Sequence, residues 1–252
     1  GQTLVVYETG RNFGMLTRPF EVPLDREAKW SSISLWDENT IAAVATTSFQ
    51  SRHPEVWMIL GHIIPELKAE NKKVTIDGHL QEWNGNFPVF IGSRFNANLY
   101  AAVSFDEKNL FFGAWIKGKN LNSNPQNPSG SSGVYFYIDA GNHNLTNPGQ
   151  GLFKVWCNNT GDTRIYKDDN GTWKEICAKG MKSAVLPDEE GYRIELAIPF
   201  SSIRKADRPD IRITIGLKGL TDDGTEFTEH IVHTNPGASS TWLKVELENE
   251  FK

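Results

Sequence analysis

From Val74 onward the chain runs as short apolar segments in which apolar and polar residues alternate at period two. Tyr192, Ile194, Leu196 and Ile198 fall on one side of such a segment, with Arg193 and Glu195 on the other. Ile211, Ile213, Ile215 and Leu217 repeat the pattern, with Arg212, Thr214 and Lys218 outside. This is the geometry of a strand with one face on a core and the other in water. Further strands are predicted at 99–105, 110–116, 134–139, 152–157, 164–166, 173–177, 227–233 and 242–247. The 22 glycines and 12 prolines punctuate these segments at short intervals, which suits many short strands and not long helices. One helical turn is predicted at Pro199 to Ile203, since Pro tolerates a first helical position. The expectation is an all-β chain whose main body is an antiparallel β-sandwich.

The first 72 residues form a separate β-rich segment in this reading. Strands are predicted at 4–7, 33–35, 41–46 and 56–60, with Asp37-Glu38-Asn39 as a hairpin turn. Four strands make one sheet, and both faces of a sheet need covers, so the segment is not expected to stand alone. The charged stretch PELKAENKK (65–73) reads as a linker, which divides the chain into 1–72 and 73–252.

Charge and motif spacing narrow the function. A formal net charge of −5 argues against nucleic acid as the main partner. No apolar run approaches the ~18 residues of a membrane-spanning helix. The chain begins at Gly1 without a leader pattern, which reads as a mature secreted, periplasmic or cell-surface protein whose signal peptide has been removed. His62, His79, His143, His230 and His233 are scattered without metal-ligand spacing, and no metal site or catalytic residue is expected. The acids of 168–169, 188–190 and 222–223 lie in turn contexts and do not mark the paired carboxyls of glycoside hydrolysis. No cofactor is expected, although the oxygen-rich loop DAGNHNLTN (139–147) leaves a structural calcium open. Residues 152–178 read as a three-strand meander with turns near 159–161 and 169–171. Cys157 and Cys177 then end its first and third strands about 9.6 Å apart, two interstrand spacings, too far for a disulfide.

Four motifs in order carry a family resemblance. VTIDGHLQEW (74–83), LYAAVSFDEKNLFFGAWIKG (99–118), VYFYIDAGNHN (134–144) and GYRIELAIPFSSI (191–203) resemble the successive strands of family 9 carbohydrate-binding modules. The resemblance covers about 74–247 and implies a β-sandwich that accompanies secreted polysaccharide-degrading enzymes and binds oligosaccharides or polysaccharides. Separately, VPLDREAKWSSISLWDENTIAAVATTSF and PEVWMILGHII resemble the last blade of a neuraminidase (sialidase)-type β-propeller, which implies a catalytic propeller in a longer parent chain.

The resemblance also places a candidate site, with departures. In the family a Trp follows Asn-Pro of the polar loop and clamps a sugar ring against a second Trp near the C-terminus. Here Asn124-Pro125 is followed by Gln126, and Trp242 in TNPGASSTW opens the last strand. Tyr135 stands where the family keeps a Glu, and Lys154 where it keeps an Arg. Tyr135 and Tyr137 share a strand face, with Phe136 opposite. Stacking on an aromatic ring and a charged donor are what a sugar requires. The candidate ligand-binding residues are therefore Asn124, Tyr135, Lys154 and Trp242, with a plain solvated face as the alternative. Asp77 reads as a turn residue, or else a ligand group; Trp83 and Trp115 read as core, and one of Trp156 and Trp173 as exposed. The function expected is a non-catalytic carbohydrate-binding module of a secreted glycan-processing protein. The alternatives are a structural sandwich that docks on a propeller without binding sugar, and a small glycoside hydrolase.

Overall fold

The computed structural model describes residues 67–92, 97–118, 121, 131–203, 210–220, 224–231 and 233–247, together with five backbone strands in the first 62 residues. The chain divides into two compact units, Gly1–Pro65 and Glu66–Lys252. The first contains β1 (Thr3–Val6), β2 (Phe20–Pro23), β3 (Ser32–Leu35), β4 (Thr40–Thr46) and β5 (Val56–His62). They form one antiparallel sheet in the order β2-β1-β5-β4-β3. The four expected strands are present; β2 is additional, a four-residue FEVP too short to carry a period.

The second unit is built from β6 (Leu67–Asn71), β7 (Val89–Gly92), β8 (Asn98–Phe105), β9 (Asn109–Lys117), β10 (Gly133–Asp139), β11 (Leu152–Asn158) and β12 (Thr163–Asp169). It continues with β13 (Thr172–Ile176), β14 (Lys182–Asp188), β15 (Gly191–Pro199), β16 (Asp210–Leu220), β17 (Glu226–His230) and β18 (Leu243–Leu247). One path of pairings, β13-β12-β11-β10-β16-β18-β6-β8-β9-β15-β14, curls over on itself, with β17 beside β16 and β7 beside β8. The two halves face each other across an apolar core. Inward residues of β10 (Val134, Phe136, Ile138) and β16 (Ile211, Ile213, Ile215, Leu217) meet those of β9 and β15, and Phe112 lies 4.6 Å from Phe136. The period-two alternation thus sets the inner faces as expected. Phe200–Ile203 forms the expected helical turn, anchored by buried Ile203.

Two features differ from the sequence reading. The stretch taken as a linker supplies β6, in which Leu67 and Ala69 are buried and Lys68 and Glu70 exposed. It pairs in parallel with both β18 and β8, so the sandwich is mixed and not purely antiparallel. Its charged outward residues gave the segment the composition of a linker, while its alternation is that of an edge-type strand.

The outer face of β15 is also not in water. Residues 74–87 lie over it and bury Val74, Leu80 and Trp83 against Phe111 and Ala197. Trp83 takes the space above Gly113, where an added Cβ would come within 2.4 Å of the indole. Glu195, expected outside, is fully buried beneath this cover. Its Oε2 accepts from the backbone N–H of Asp77 (3.0 Å) and Gly78 (2.7 Å), and its Oε1 from Trp83 Nε1 (2.9 Å). Asp77 itself accepts from His79 N–H at 2.9 Å, the turn role expected of it. The Ile-Asp-Gly motif is therefore a clip: its backbone donors grip one buried carboxylate, and its Trp seals them from water.

The meander β11-β12-β13 forms as predicted, with a two-residue hairpin at Asn170-Gly171. Both residues have positive φ (54° and 90°), the requirement of the hairpin turn that matches strand twist. Cys157 points into the core and Cys177 is exposed beyond β13; both are free thiols.

Candidate carbohydrate-binding face

The sheet β13-β12-β11-β10-β16 has a second, outward face, fixed by parity once the core residues are placed. With Phe136 and Val155 inward, Tyr135, Tyr137, Lys154 and Trp156 point out. With Ile165 inward, Tyr166 and Asp168 point out, and the register sets Trp173 opposite Asp168. On the far side, Gly216 pairs with both Tyr135 and His230, so the His230 ring lies above the bare glycine. Register, not sequence proximity, brings these six strands' side chains to one patch.

The patch is aromatic with a cation at its centre. Tyr135 packs on Trp156 at 4.4 Å and lies 6.0 Å from Tyr137. Tyr137 is buried in the middle, touching Trp173 edge-on at 6.0 Å, His230 at 5.8 Å and Trp242 at 5.9 Å. Lys154 Nζ stands 5.7 Å from the Tyr135 ring and 4.9 Å from each of Tyr166 and Trp173. Ring faces attract an ammonium at such distances. Burial is the main influence on Lys154 and lowers its pKa, with the Asp168 charge acting the other way. Burial raises the Tyr135 phenol, helped by Tyr166 and Glu226. Burial likewise depresses His230, keeping its imidazole neutral.

Of the four expected site residues, the structure brings Tyr135 and Lys154 together. Asn124 lies outside the described residues. Trp242 is 2% exposed, with its Nε1 donating to the Asn235 carbonyl at 2.7 Å. Its place as a stacking residue is corrected: its ring fills the floor beside Tyr137 because the loop 233–242 folds over it. Trp156 is buried and Trp173 half-buried, so Trp173 is the more exposed of that pair. Trp115, taken as core, is half-buried on the outer face of the other sheet, with Lys117 Nζ 3.8 Å from its ring. Tyr166, Asp168 and His230 were not singled out as site residues. Extending the parity of Lys154 across the meander reaches the first two; His230 follows only from the β16–β17 pairing.

The loop after β10 is organised by the buried Asp139. It accepts from His143 N–H (2.9 Å), Asn144 N–H (3.1 Å) and Ser239 Oγ (2.8 Å), and bonds His143 Nδ1 at 2.6 Å. Its oxygens in DAGNHNLTN are thus taken by donors. Among the described residues no group of three or more His, Cys, Asp or Glu side chains gathers in a metal-binding arrangement. No helix among them is long and apolar enough to cross a membrane.

Comparison with known proteins agrees with the shape of this sheet. A family profile described as carbohydrate family 9 binding domain-like matches residues 80–244. Endo-1,4-beta-xylanase A of Thermoanaerobacterium saccharolyticum is 24% identical over 208 residues, 78% of this chain and 16% of that protein. Endo-1,4-beta-xylanase A of Thermotoga neapolitana is 25% identical over 221 residues, 84% of this chain and 19% of that protein. The chain therefore spans less than a fifth of the length of either xylanase. A family 9 carbohydrate-binding module of Caldicellulosiruptor kristjanssonii, solved with cellotriose, superposes with a TM-score of 0.59 at 14% identity, covering 73% of this chain and 94% of that one. A putative carbohydrate-binding protein of Bacteroides uniformis superposes at 0.53 with 10% identity, covering 73% of this chain and 99% of its own.

Proposed function

Because the chain belongs to the carbohydrate family 9 binding domain-like family, it is a non-catalytic carbohydrate-binding module, and we propose that it holds its sugar on the face carrying Tyr135, Lys154, Tyr166 and Trp173. The observation that carries this site is the ring of three aromatic side chains around the Lys154 ammonium. A pyranose has an apolar face that stacks on such rings and a rim of hydroxyls that accept from a cation. The parent is read as a secreted glycan-processing enzyme with the module as ancillary domain. The two xylanases matched over a small part of their length support a glycoside-hydrolase parent. A sialidase-type parent with a catalytic propeller rests on the blade-like sequence of the first unit alone. No cofactor belongs to this reading.

The family's first clamp Trp is replaced by Gln126 and Trp242 is buried, so the proposal includes a ligand preference. Each lost stacking contact costs about 1 kcal/mol, or about five-fold in affinity. Glucose and cello-oligosaccharides are expected to bind with about millimolar affinity or not at all, and a different oligosaccharide better. Calorimetry with a panel of cello-, xylo-, manno- and galacto-oligosaccharides tests this against Tyr135→Ala, Lys154→Ala and Trp173→Ala. Each variant should weaken the best ligand at least about five-fold. Micromolar binding of cellobiose, unchanged in Tyr135→Ala and Lys154→Ala, would overturn both the site and the preference.

A further inference from the structure

Asp168 is an expensive residue to place where it stands. It is 1% exposed on the outward face of β12, opposite Trp173 in the hairpin register. One oxygen, Oδ1, accepts from Gly171 N–H at 2.7 Å and holds the tip of the β12–β13 hairpin. The other, Oδ2, is buried without a hydrogen-bond partner, the Lys154 ammonium included. The two charges nevertheless act on each other electrostatically. A carboxylate oxygen stripped of water and left bare carries a large desolvation penalty, and such groups call for an explanation. Asparagine would hold the same hairpin without a charge. Two further buried polar atoms on this face lack partners, Trp156 Nε1 and His230 Nε2. They flank the aromatic patch on its other sides, in the Tyr135 row of the ladder.

We propose that Asp168 is a specificity-determining residue of the sugar site, accepting a hydroxyl proton while Lys154 donates to the neighbouring hydroxyl oxygen, so that the face selects neutral pyranoses with adjacent hydroxyls and rejects uronic acids. This rests on the sugar-binding reading above. An acceptor-only carboxylate and a donor-only ammonium on adjacent strands of one face match the two ends of a vicinal diol. A sugar carboxylate drawn to Lys154 meets the like charge of Asp168, with Glu175 opposite Tyr166 adding a second. The other cations of this face are already paired, Lys218 with Glu226 at 3.2 Å and Arg164 with Asp162 at 3.0 Å. Rejection by like charge is a standard route to selectivity.

The test is Asp168→Asn, with wild type beside it, titrated with xylohexaose, cellohexaose, mannohexaose, galactohexaose and hexagalacturonate and followed by thermal unfolding. Wild type should bind at least one neutral hexaose and bind hexagalacturonate at least about tenfold more weakly. Asp168→Asn should lose about tenfold or more for the neutral sugar, by losing a charged acceptor, and bind hexagalacturonate more tightly than wild type. Its midpoint should equal or exceed that of wild type. A lowered midpoint with the neutral-to-acidic preference unchanged makes Asp168 a structural residue and overturns the inference. If Asp168→Asn does not fold, Asp168→Ser, which keeps an acceptor for Gly171, is read in its place; failure of both to fold also overturns it. Wild type binding no hexaose at all defeats the sugar reading and this inference together. Wild type and Asp168→Asn binding alike defeats only the inference.

Discussion

Glu195→Gln isolates the clip that holds residues 74–87 on the sandwich. The glutamine keeps the shape of the side chain but replaces one acceptor oxygen with an NH2 donor. In its better orientation the amide oxygen faces the Asp77 and Gly78 N–H groups, and the NH2 meets Trp83 Nε1–H head-on. One buried donor is then orphaned, at about 1–3 kcal/mol. The two surviving bonds lose their charge assistance, about 0.5–1.5 kcal/mol each. Against this stands the relief of burying a charge, which offsets part of the loss. The net expectation is about 2–3 kcal/mol of destabilisation. For a unit of this size that lowers the midpoint by about 5–10 °C. Urea unfolding followed by Trp fluorescence, with calorimetry as a second probe, measures it. Glycan affinity at saturating folded protein should not change, because Glu195 lies on the sheet opposite Tyr135 and Lys154. A Glu195→Gln protein within about 0.5 kcal/mol of wild type, the scatter of ordinary surface changes, would refute the clip.

Gly113→Ala should destabilise by about 1–3 kcal/mol through overpacking, since its Cβ lands 2.4 Å from the Trp83 indole; an unchanged urea midpoint would show that the cover yields freely. Ellman's reagent should titrate one thiol in the folded protein and two in denaturant. Cys177 is exposed, whereas burial pushes the Cys157 thiol up to about 12 and shuts it from the reagent; two fast-reacting thiols in the native protein would contradict the placement of β11.

The inward faces were legible because their cause is local. Ile211, Ile213, Ile215 and Leu217 alternate within their own strand, and no distant residue is needed to see which side is apolar. The same holds for the Asn170-Gly171 hairpin, whose backbone demands positive φ at two successive residues. β7 and β14 were missed for the opposite reason. Val89–Gly92 is short, and Lys182–Asp188 is an edge strand with a Pro and few buried positions. The site was half legible: Tyr135 and Lys154 came from matching a family pattern, and Asp168 was set aside as an ordinary turn acid.

By itself, then, the sequence determined the strand period, the turn chemistry and the side of each strand that enters the core, all consequences of backbone geometry over two to five residues. The tertiary structure alone decided what happens on the outer faces. Glu195, Thr214 and Trp242 are buried because remote segments, 74–87 and 233–242, fold over them. Leu67 and Ala69 make a strand and not a linker because β18 and β8 stand on either side to pair with it. Tyr135, Lys154, Tyr166, Asp168 and Trp173 form one patch because antiparallel register stacks β10, β11, β12 and β13 side by side. Period two tells a residue which face it occupies; only the pairing of strands tells it which neighbours share that face.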